Sequence, residues 1–131
     1  MKRALLIGIN YKNTPNALNG CINDVTSIKE LLIEKFSYSV DNITILTDDT
    51  KTKPTKTNII KALKSIIKSS TKNDEIWIHY SGHGSYVKDI NGDEEDGKDE
   101  GLAPIDFKTN GLIIDDDISS MLAKLMLIQI V

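Results

Sequence analysis

The sequence predicts an α/β fold, with a mostly parallel sheet covered by helices on both faces. Short apolar runs of strand length alternate along the chain with segments whose apolar residues recur at helical spacing. Alternation of this kind favours parallel strands joined by crossover helices. The length of 131 residues, with 40% hydrophobic and 27% charged residues, is typical of one globular domain. We therefore treat residues 1–131 as a single domain.

The first half of the chain supplies two strands and two helices. Residues 3–9 form a continuous apolar run, which is typical of a strand buried on both faces. Residues 24–36 carry apolar side chains at helical spacing, and a short strand follows at 43–46. Pro54 and Thr55 open a second helix, whose apolar stripe faces away from its lysines.

The second half is more irregular. It contains, in order, a strand, a loop rich in Gly and Asp, two short extended pieces, a helix and an apolar strand: 75–80, 82–101, 102–107, 112–114, 118–124 and 125–131. Asn110-Gly111 is a hairpin-type turn between the extended pieces, and residues 115–117 cap the helix. Sites in parallel sheets form at the carboxyl ends of the strands, so we expect residues 82–84 to meet those that follow the first strand.

Composition excludes several classes of protein. No stretch approaches the roughly 20 apolar residues of a membrane helix, so we expect no membrane partner. The single cysteine, Cys21, excludes an internal disulfide and fits a reducing compartment, which predicts a cytoplasmic location. Residues 89–117 hold 11 of the 19 acidic side chains and two lysines, a local charge of −9 that leaves +6 elsewhere. This segment predicts binding of cations or basic peptides, and no nucleic acid.

His83 is the candidate catalytic residue. It lies between Gly82 and Gly84, in a turn that follows the third strand. Histidine has the side-chain pKa nearest neutral, so it is the natural proton carrier for a nucleophile. His79, on the strand itself, better fits the alternative of a buried structural histidine.

Three segments in this order and spacing resemble the type I metacaspases, which are caspase-like cysteine peptidases: Gly20-Cys21-Ile22-Asn23-Asp24-Val25, His79-Tyr80-Ser81-Gly82-His83-Gly84, and residues 91–100. Shorter matches at 6–11, 46–49, 104–107 and 114–117 extend the resemblance from Ala4 to about Leu125. The resemblance implies a caspase-like three-layer sandwich. It also implies cleavage after Arg or Lys by a Cys-His dyad, usually with calcium, and makes His83 the general base and acid.

The resemblance further implies that Asp24 and Ser81 help to form the pocket for a basic substrate side chain. A carboxylate at the base of a pocket selects a cationic group. The alternative for Asp24 is capping of the first helix, a role that Asn23 could also fill. A preference for aspartate would need arginines in the pocket, and Arg3 is the only arginine.

The acidic loop has three interpretations. Residues 89–100 partly match a calcium-loop pattern, but Glu94 stands where that pattern requires glycine and no helix precedes it, so we doubt an EF-hand. The resemblance points instead to calcium held by Asp99, Asp115 and Asp116, because clustered carboxylates repel one another unless a hard cation bridges them. Solvated loop charge with a helix cap is the alternative.

The nucleophile is not evident in this chain. The resemblance places the family's cysteine directly after the next parallel strand, which residues 125–131 resemble, so we expect a C-terminally incomplete domain that is inactive or nearly so alone. A complementary chain could supply the thiol. Cys21 is a substitute candidate, although packing at a helix start is the simpler role. The non-enzymatic alternatives are a pseudo-peptidase or regulatory module that binds basic peptides or a partner chain, and a plain calcium-binding module.

Overall fold

A computed structural model describes residues 1–71, 73–88, 98–114 and 129–130 of the chain. The strands and α-helices of these residues, numbered in chain order, are β1 Lys2–Gly8, α1 Cys21–Lys35, β2 Ile43–Thr47, α2 Lys56–Ser69, β3 Glu75–Ser81, β4 Gly84–Lys88, β5 Lys98–Leu102, α3 Phe107–Asn110, β6 Ile113–Ile114 and β7 Gln129–Ile130. A 3₁₀ turn at Val40–Asn42 precedes β2. None of the described helices is long and apolar enough to cross a membrane.

The main sheet is parallel, with strand order β2-β1-β3-β7. Gly8 is paired with Thr47 on one side and with Ser81 on the other, so the carboxyl ends of the three longer strands lie at one edge. The predicted α/β class with a mostly parallel sheet is therefore confirmed. Two residues of the predicted last strand, 129–130, pair with β3, while the predicted helix 118–124 and its cap 115–117 lie outside the described residues.

Helices cover both faces of this sheet. Along β1, Leu5 and Ile7 join the core under α2, whereas Ala4 and Leu6 join the core under α1. All four are at most 1% exposed, so the strand is buried on both faces as its continuous apolar run predicts. The hydrophobic stripe of α2 and that of α1 thus pack against opposite sides of the same strand.

The start of α1 differs from the prediction. The helix begins at Cys21 after Gly20, and its N-cap residue makes no side-chain capping bond. Asn23 and Asp24 therefore lie inside the first turn, and the prediction that one of them caps the helix is wrong. The physical reason is that Asn10, in the loop after β1, supplies the cap: its Oδ1 accepts a hydrogen bond of 3.0 Å from the Cys21 N–H.

The region after β3 also differs. The predicted loop 82–101 contains β4 and most of β5, which pair antiparallel and form a second sheet of order β4-β5-β6. Of the predicted extended piece 102–107, only Leu102 lies in a strand, because β5 ends there and a turn at 105–106 leads into α3. Gly111, with φ of 81°, ends α3, so the predicted hairpin turn at Asn110-Gly111 is wrong. Asp106 holds this turn through Asn110, whose Nδ2 donates a bond of 2.6 Å to its carboxylate.

Candidate active site

The site lies at the carboxyl edge of β1 and β3. The Ile9 N–H donates to the Ser81 carbonyl over 2.9 Å and so continues the pairing of the two strands beyond Gly8. A side chain at Gly8 would lie 2.6 Å from the Cys21 carbonyl oxygen and 2.6 Å from Val25 Cγ2. Glycine at this position therefore lets the first turn of α1 pack directly against the end of β1.

The backbone of His83 is held on both sides. Its N–H donates to the Tyr11 hydroxyl over 2.9 Å. Its carbonyl accepts from the Tyr80 hydroxyl at 2.6 Å and from the Ala103 N–H at 3.0 Å. These bonds join the turn to β3, to the loop after β1 and to the segment after β5, so the imidazole leaves the sheet from a fixed main chain.

The imidazole of His83 has a defined partner. Its Nε2 lies 2.7 Å from the Asn16 carbonyl oxygen. A carbonyl can only accept, so Nε2 carries the hydrogen, and in the neutral ring Nδ1 is left as the proton acceptor. The ring packs against Tyr11, with centroids 4.7 Å apart and planes tilted by 38°. A histidine held in this way is oriented for general base chemistry.

Tyr11 and Tyr80 hold the main chain of His83 in place, a role that the sequence analysis missed. Tyr11 is 1% exposed, and its hydroxyl donates to the Ala103 carbonyl over 2.6 Å and lies 3.2 Å from the Tyr80 hydroxyl. Burial raises the pKa of both phenols, so both remain protonated donors at neutral pH. Tyr11 also has a φ of 52°, an unfavourable backbone for a large residue, which is typical of residues that a site holds in place.

Asp24, Ser81 and His79 form a chain of hydrogen bonds beside this histidine. The Ser81 hydroxyl donates to Asp24 Oδ2 over 3.1 Å, and His79 Nε2 lies 2.8 Å from Ser81 Oγ. Since the single hydroxyl proton points to Asp24, Ser81 accepts from His79, and Nε2 of His79 carries a hydrogen. Burial lowers the pKa of His79, an effect that the negative charge of Asp24 partly opposes.

The structure thus brings together the two residues that the resemblance assigned to a pocket. Asp24 is exposed in the first turn of α1, and Ser81 ends β3 beside it. Arg3 lies at the amino end of β1, where its Nη1 is 2.5 Å from Asp74 Oδ2. The one arginine is therefore at the opposite end of the sheet from Asp24 and Ser81.

Cys21 is the first residue of α1 and is 9% exposed. Burial raises the pKa of its thiol, and the negative charges of Asp24 and Asp48 raise it further. A nucleophilic cysteine requires the opposite shift, since the thiolate is the reactive form. These features favour the packing role, while the role of substitute nucleophile stays a prediction.

The structure describes one of the three candidate calcium ligands. Asp99 lies in β5, paired with Val87 of β4, while Asp115 and Asp116 lie outside the described residues. Within the ranges that the structure describes, no three His, Cys, Asp or Glu side chains are grouped to hold a metal ion. The EF-hand interpretation has no support from the flanking segments, because β4 and β5 are strands where that motif has helices.

Comparisons with known proteins decide the family. A family model described as metacaspase, peptidase C14 domain, matches residues 2–129. The chain belongs to the metacaspase family. It is 49% identical over 126 residues to Metacaspase-1 of Eremothecium gossypii, which covers 94% of this chain and 28% of that protein. Metacaspase-1B of Aspergillus oryzae is 46% identical, covering 94% of this chain and 30% of that protein.

The fold is shared with a solved structure. A crystal structure of a protein from Geobacter sulfurreducens matches with a TM-score of 0.76 and 28% identity, covering 98% of this chain and 47% of that one. The chain therefore spans about 30% of the curated metacaspases and about half of the solved protein. The resemblance inferred from the short motifs is confirmed at the level of family and fold.

Proposed function

We propose that this chain supplies the histidine and part of the substrate pocket of a metacaspase-like cysteine endopeptidase that cleaves after Arg or Lys. The observation that carries the proposal is the geometry of His83. Its main chain is bonded on both sides, its Nε2–H is bonded to the Asn16 carbonyl, and its Nδ1 is left as the proton acceptor. A general base needs this combination of fixed position and available lone pair.

In the proposed reaction His83 Nδ1 removes the proton from a cysteine thiol. The thiolate attacks the scissile carbonyl carbon, and the resulting imidazolium returns the proton to the leaving amine, which leaves a thioester on the cysteine. Water, deprotonated by the same imidazole, then hydrolyses the thioester and regenerates the thiol. The Asn16 carbonyl stabilises the imidazolium, since its oxygen faces the ring nitrogen that stays protonated throughout.

The position of β7 supports a thiol from the family's usual segment. This strand runs parallel to β3 and next to it, with Gln129 opposite Trp77. Parallel neighbours end at the same edge of a sheet, so a cysteine that follows such a strand comes close to a histidine that follows β3. A cysteine from a complementary chain would need the same approach.

The specificity proposal rests on charge and exposure. Asp24 is an exposed carboxylate fixed by a hydrogen bond from Ser81, which lies two residues before His83. A carboxylate that is held in place beside the catalytic base attracts a guanidinium or ammonium group and aligns the following peptide bond with the imidazole. This arrangement supports a basic residue before the cleaved bond.

A calcium site formed by Asp99, Asp115 and Asp116 is part of the proposal. Its support is the pairing of Gly101 with Ile114, which brings the strand of Asp99 beside the strand that ends one residue before Asp115. Calcium would neutralise mutually repelling carboxylates there. We expect millimolar calcium to raise the melting temperature of the wild type, and Asp99→Asn to abolish that shift. Asp41→Asn, on the 3₁₀ turn before β2, is the matched control and should keep the shift; loss in both variants would contradict the assignment.

The enzyme proposal is tested with an Arg-terminated fluorogenic peptide, with and without calcium, on the wild type, Cys21→Ala and His83→Ala. We expect no turnover by the chain alone, and turnover after addition of the matching carboxyl-terminal part of a metacaspase that carries the nucleophile. That turnover should disappear with His83→Ala and persist with Cys21→Ala. Turnover that survives His83→Ala would contradict the proposal.

Two further outcomes separate the alternatives. Turnover by the chain alone that is lost in both variants would identify Cys21 as the nucleophile, in which case its labelling by iodoacetamide should also slow on His83→Ala. Binding of Arg peptides without turnover under any condition would favour the regulatory module or pseudo-peptidase.

A further inference from the structure

We propose that His79 is a positioning residue for the basic-residue pocket, acting through the Ser81 hydroxyl on Asp24. The proposal rests on the pocket function proposed above for Ser81 and Asp24. His79 does not reach the reacting atoms in this arrangement: it lies on β3, is 8% exposed, and has Ser81 Oγ as its partner at 2.8 Å.

The chain of donors has one direction. His79 Nε2–H donates to Ser81 Oγ, and Ser81 Oγ–H donates to Asp24 Oδ2. A serine hydroxyl rotates freely unless a partner fixes it, and it offers one proton only. By occupying the acceptor side of the hydroxyl, His79 turns that proton toward Asp24. The carboxylate then has a fixed position on an otherwise exposed helix turn.

The energetics of His79 support a functional role for it. Its Nδ1 is buried and has no hydrogen-bond partner among the atoms that the structure describes. A buried acceptor without a partner lowers the free energy of unfolding, because it has given up its bond to water and gained none in the protein. An apolar side chain at the same place on β3 would avoid that cost, because Leu6 and Trp77 pack against α1 on the same face of the sheet. The imidazole therefore lowers the stability of the fold, and its role at this position is to orient the Ser81 hydroxyl.

The strand geometry explains why position 79 can do this. Residues two apart on a strand share a face, so His79 and Ser81 both point to the α1 side of β3. In the register, Leu6 lies opposite His79 and Gly8 lies opposite Ser81. Gly8 lets α1 come close, as its tight contacts with Cys21 and Val25 show, and this brings Asp24 within reach of Ser81.

The test measures binding of two peptide amides that differ only at the last residue, arginine or its uncharged analogue citrulline. Calorimetry is carried out with the wild type, His79→Gln and His79→Asn. A glutamine amide nitrogen can occupy the position of Nε2, whereas an asparagine one is too short. We expect His79→Asn to weaken the arginine peptide about tenfold, the effect of one hydrogen bond to a charged network. His79→Gln should stay within about twofold of the wild type, and the citrulline peptide should bind all three proteins alike.

The same comparison in a Ser81→Ala background tests whether His79 affects arginine binding through the Ser81 hydroxyl. If His79 acts through Ser81, His79→Asn has no further effect on arginine binding once the hydroxyl is gone. An undiminished loss in that background, or equal losses for arginine and citrulline, would overturn the proposal. His79→Gln and His79→Asn bury similar amides, so a difference between them does not reflect general instability.

The underlying pocket is checked separately. If the wild type does not distinguish arginine from citrulline, the pocket function fails, and the role of His79 fails with it. Nitrogen NMR of the wild-type imidazoles then shows whether the hydrogen-bond chain itself exists, since it requires a hydrogen on Nε2 of neutral His79 and none on Nδ1. Discrimination by the wild type that is unchanged in His79→Asn would remove the positioning role alone and leave the pocket intact.

Discussion

His79 and His83 lie four residues apart in the sequence, yet they are held in opposite ways. His79 is buried on β3, and a side chain, Ser81, is its partner. His83 lies beyond the end of the strand, and its partner is the main-chain carbonyl of Asn16. The orientation of His79 therefore depends on the side chains around it, whereas the orientation of His83 depends on the path of the main chain. Substitutions that displace the main chain and substitutions that remove a side-chain partner should affect the two histidines differently.

The largest expected effect is that of Gly82→Ala. The new Cβ would lie 2.7 Å from the Tyr80 hydroxyl oxygen and 3.1 Å from that of Tyr11, both of which are fixed by hydrogen bonds. We expect a loss of about 3 kcal/mol in the free energy of unfolding, measured with urea, because overpacking displaces both phenols. Imidazole NMR shifts of His83 should change more than those of His79.

Gly84→Ala is the matched control on the other side of His83. Among the residues that the structure describes, its Cβ would meet only the Gly101 carbonyl oxygen at 3.6 Å, an ordinary contact. We expect a change below about 1 kcal/mol and an unperturbed His83. Equal losses for the two alanines would mean that general strand-end strain, and not the tyrosine pair, limits the turn.

The second effect is that of Tyr11→Phe. Removing this hydroxyl deprives the His83 N–H of its acceptor and the Ala103 carbonyl of a donor, so we expect a loss of about 2 kcal/mol in the free energy of unfolding. Tyr38→Phe is the control, because it removes a hydroxyl that bonds Glu75 at the other end of β3. Both variants should lose stability, but only Tyr11→Phe should shift the His83 resonances; a shift in both would contradict a local clamp.

A smaller effect concerns pH. Burial lowers the pKa of His79 below its usual 6.5 in the folded protein, so below that pH the unfolded chain binds more protons than the folded one. The free energy of unfolding should therefore fall as pH decreases from 6.5 to the folded-state pKa. His79→Gln removes this contribution, so the free energy of unfolding of the wild type minus that of the variant should be constant above neutral pH and should fall as the pH decreases below 6.5. A constant difference across the whole range would show that His79 is not desolvated.

The smallest expected effect is that of Asn16→Ala. His83 is bonded to the carbonyl of Asn16 and not to its side chain, so the variant should keep the Nε2–H form of the imidazole and its chemical shifts. A large shift of the His83 resonances would mean that the side chain of Asn16 sets the loop conformation and thereby the partner.

The sequence predicted the parts of the fold that depend on apolar pattern. The buried run of β1 and the stripe of α2 follow from their periodicity. The carboxyl-edge rule placed His83 beside the residues that follow β1, whereas the association of Ser81 with Asp24 came from the family resemblance. The β4–β5 pair was missed because Lys98–Leu102 carries charges and glycine in place of alternating apolar residues. The start of α1 was misplaced because its cap is Asn10, which is distant in sequence.

The residues that hold His83 in place were also missed by the sequence analysis. Tyr11 and Tyr80 lie in motifs that the resemblance includes, but a tyrosine at a strand end is equally typical of core packing. Asn16 acts through an atom that every residue has, so no sequence pattern could single it out. Side-chain chemistry could be predicted here, and main-chain positioning could not.

The pairing of Gly8 with Ser81 has a consequence for the order in which the protein folds. Those residues are 73 positions apart, and the bonds of Tyr11 span 72 residues to His83 and 92 to Ala103. Closing such long loops is the slow, entropically costly part of folding. The helices can therefore form early, whereas the histidine acquires its orientation only when β3 docks. Refolding followed at the His83 ring should therefore lag behind helix formation.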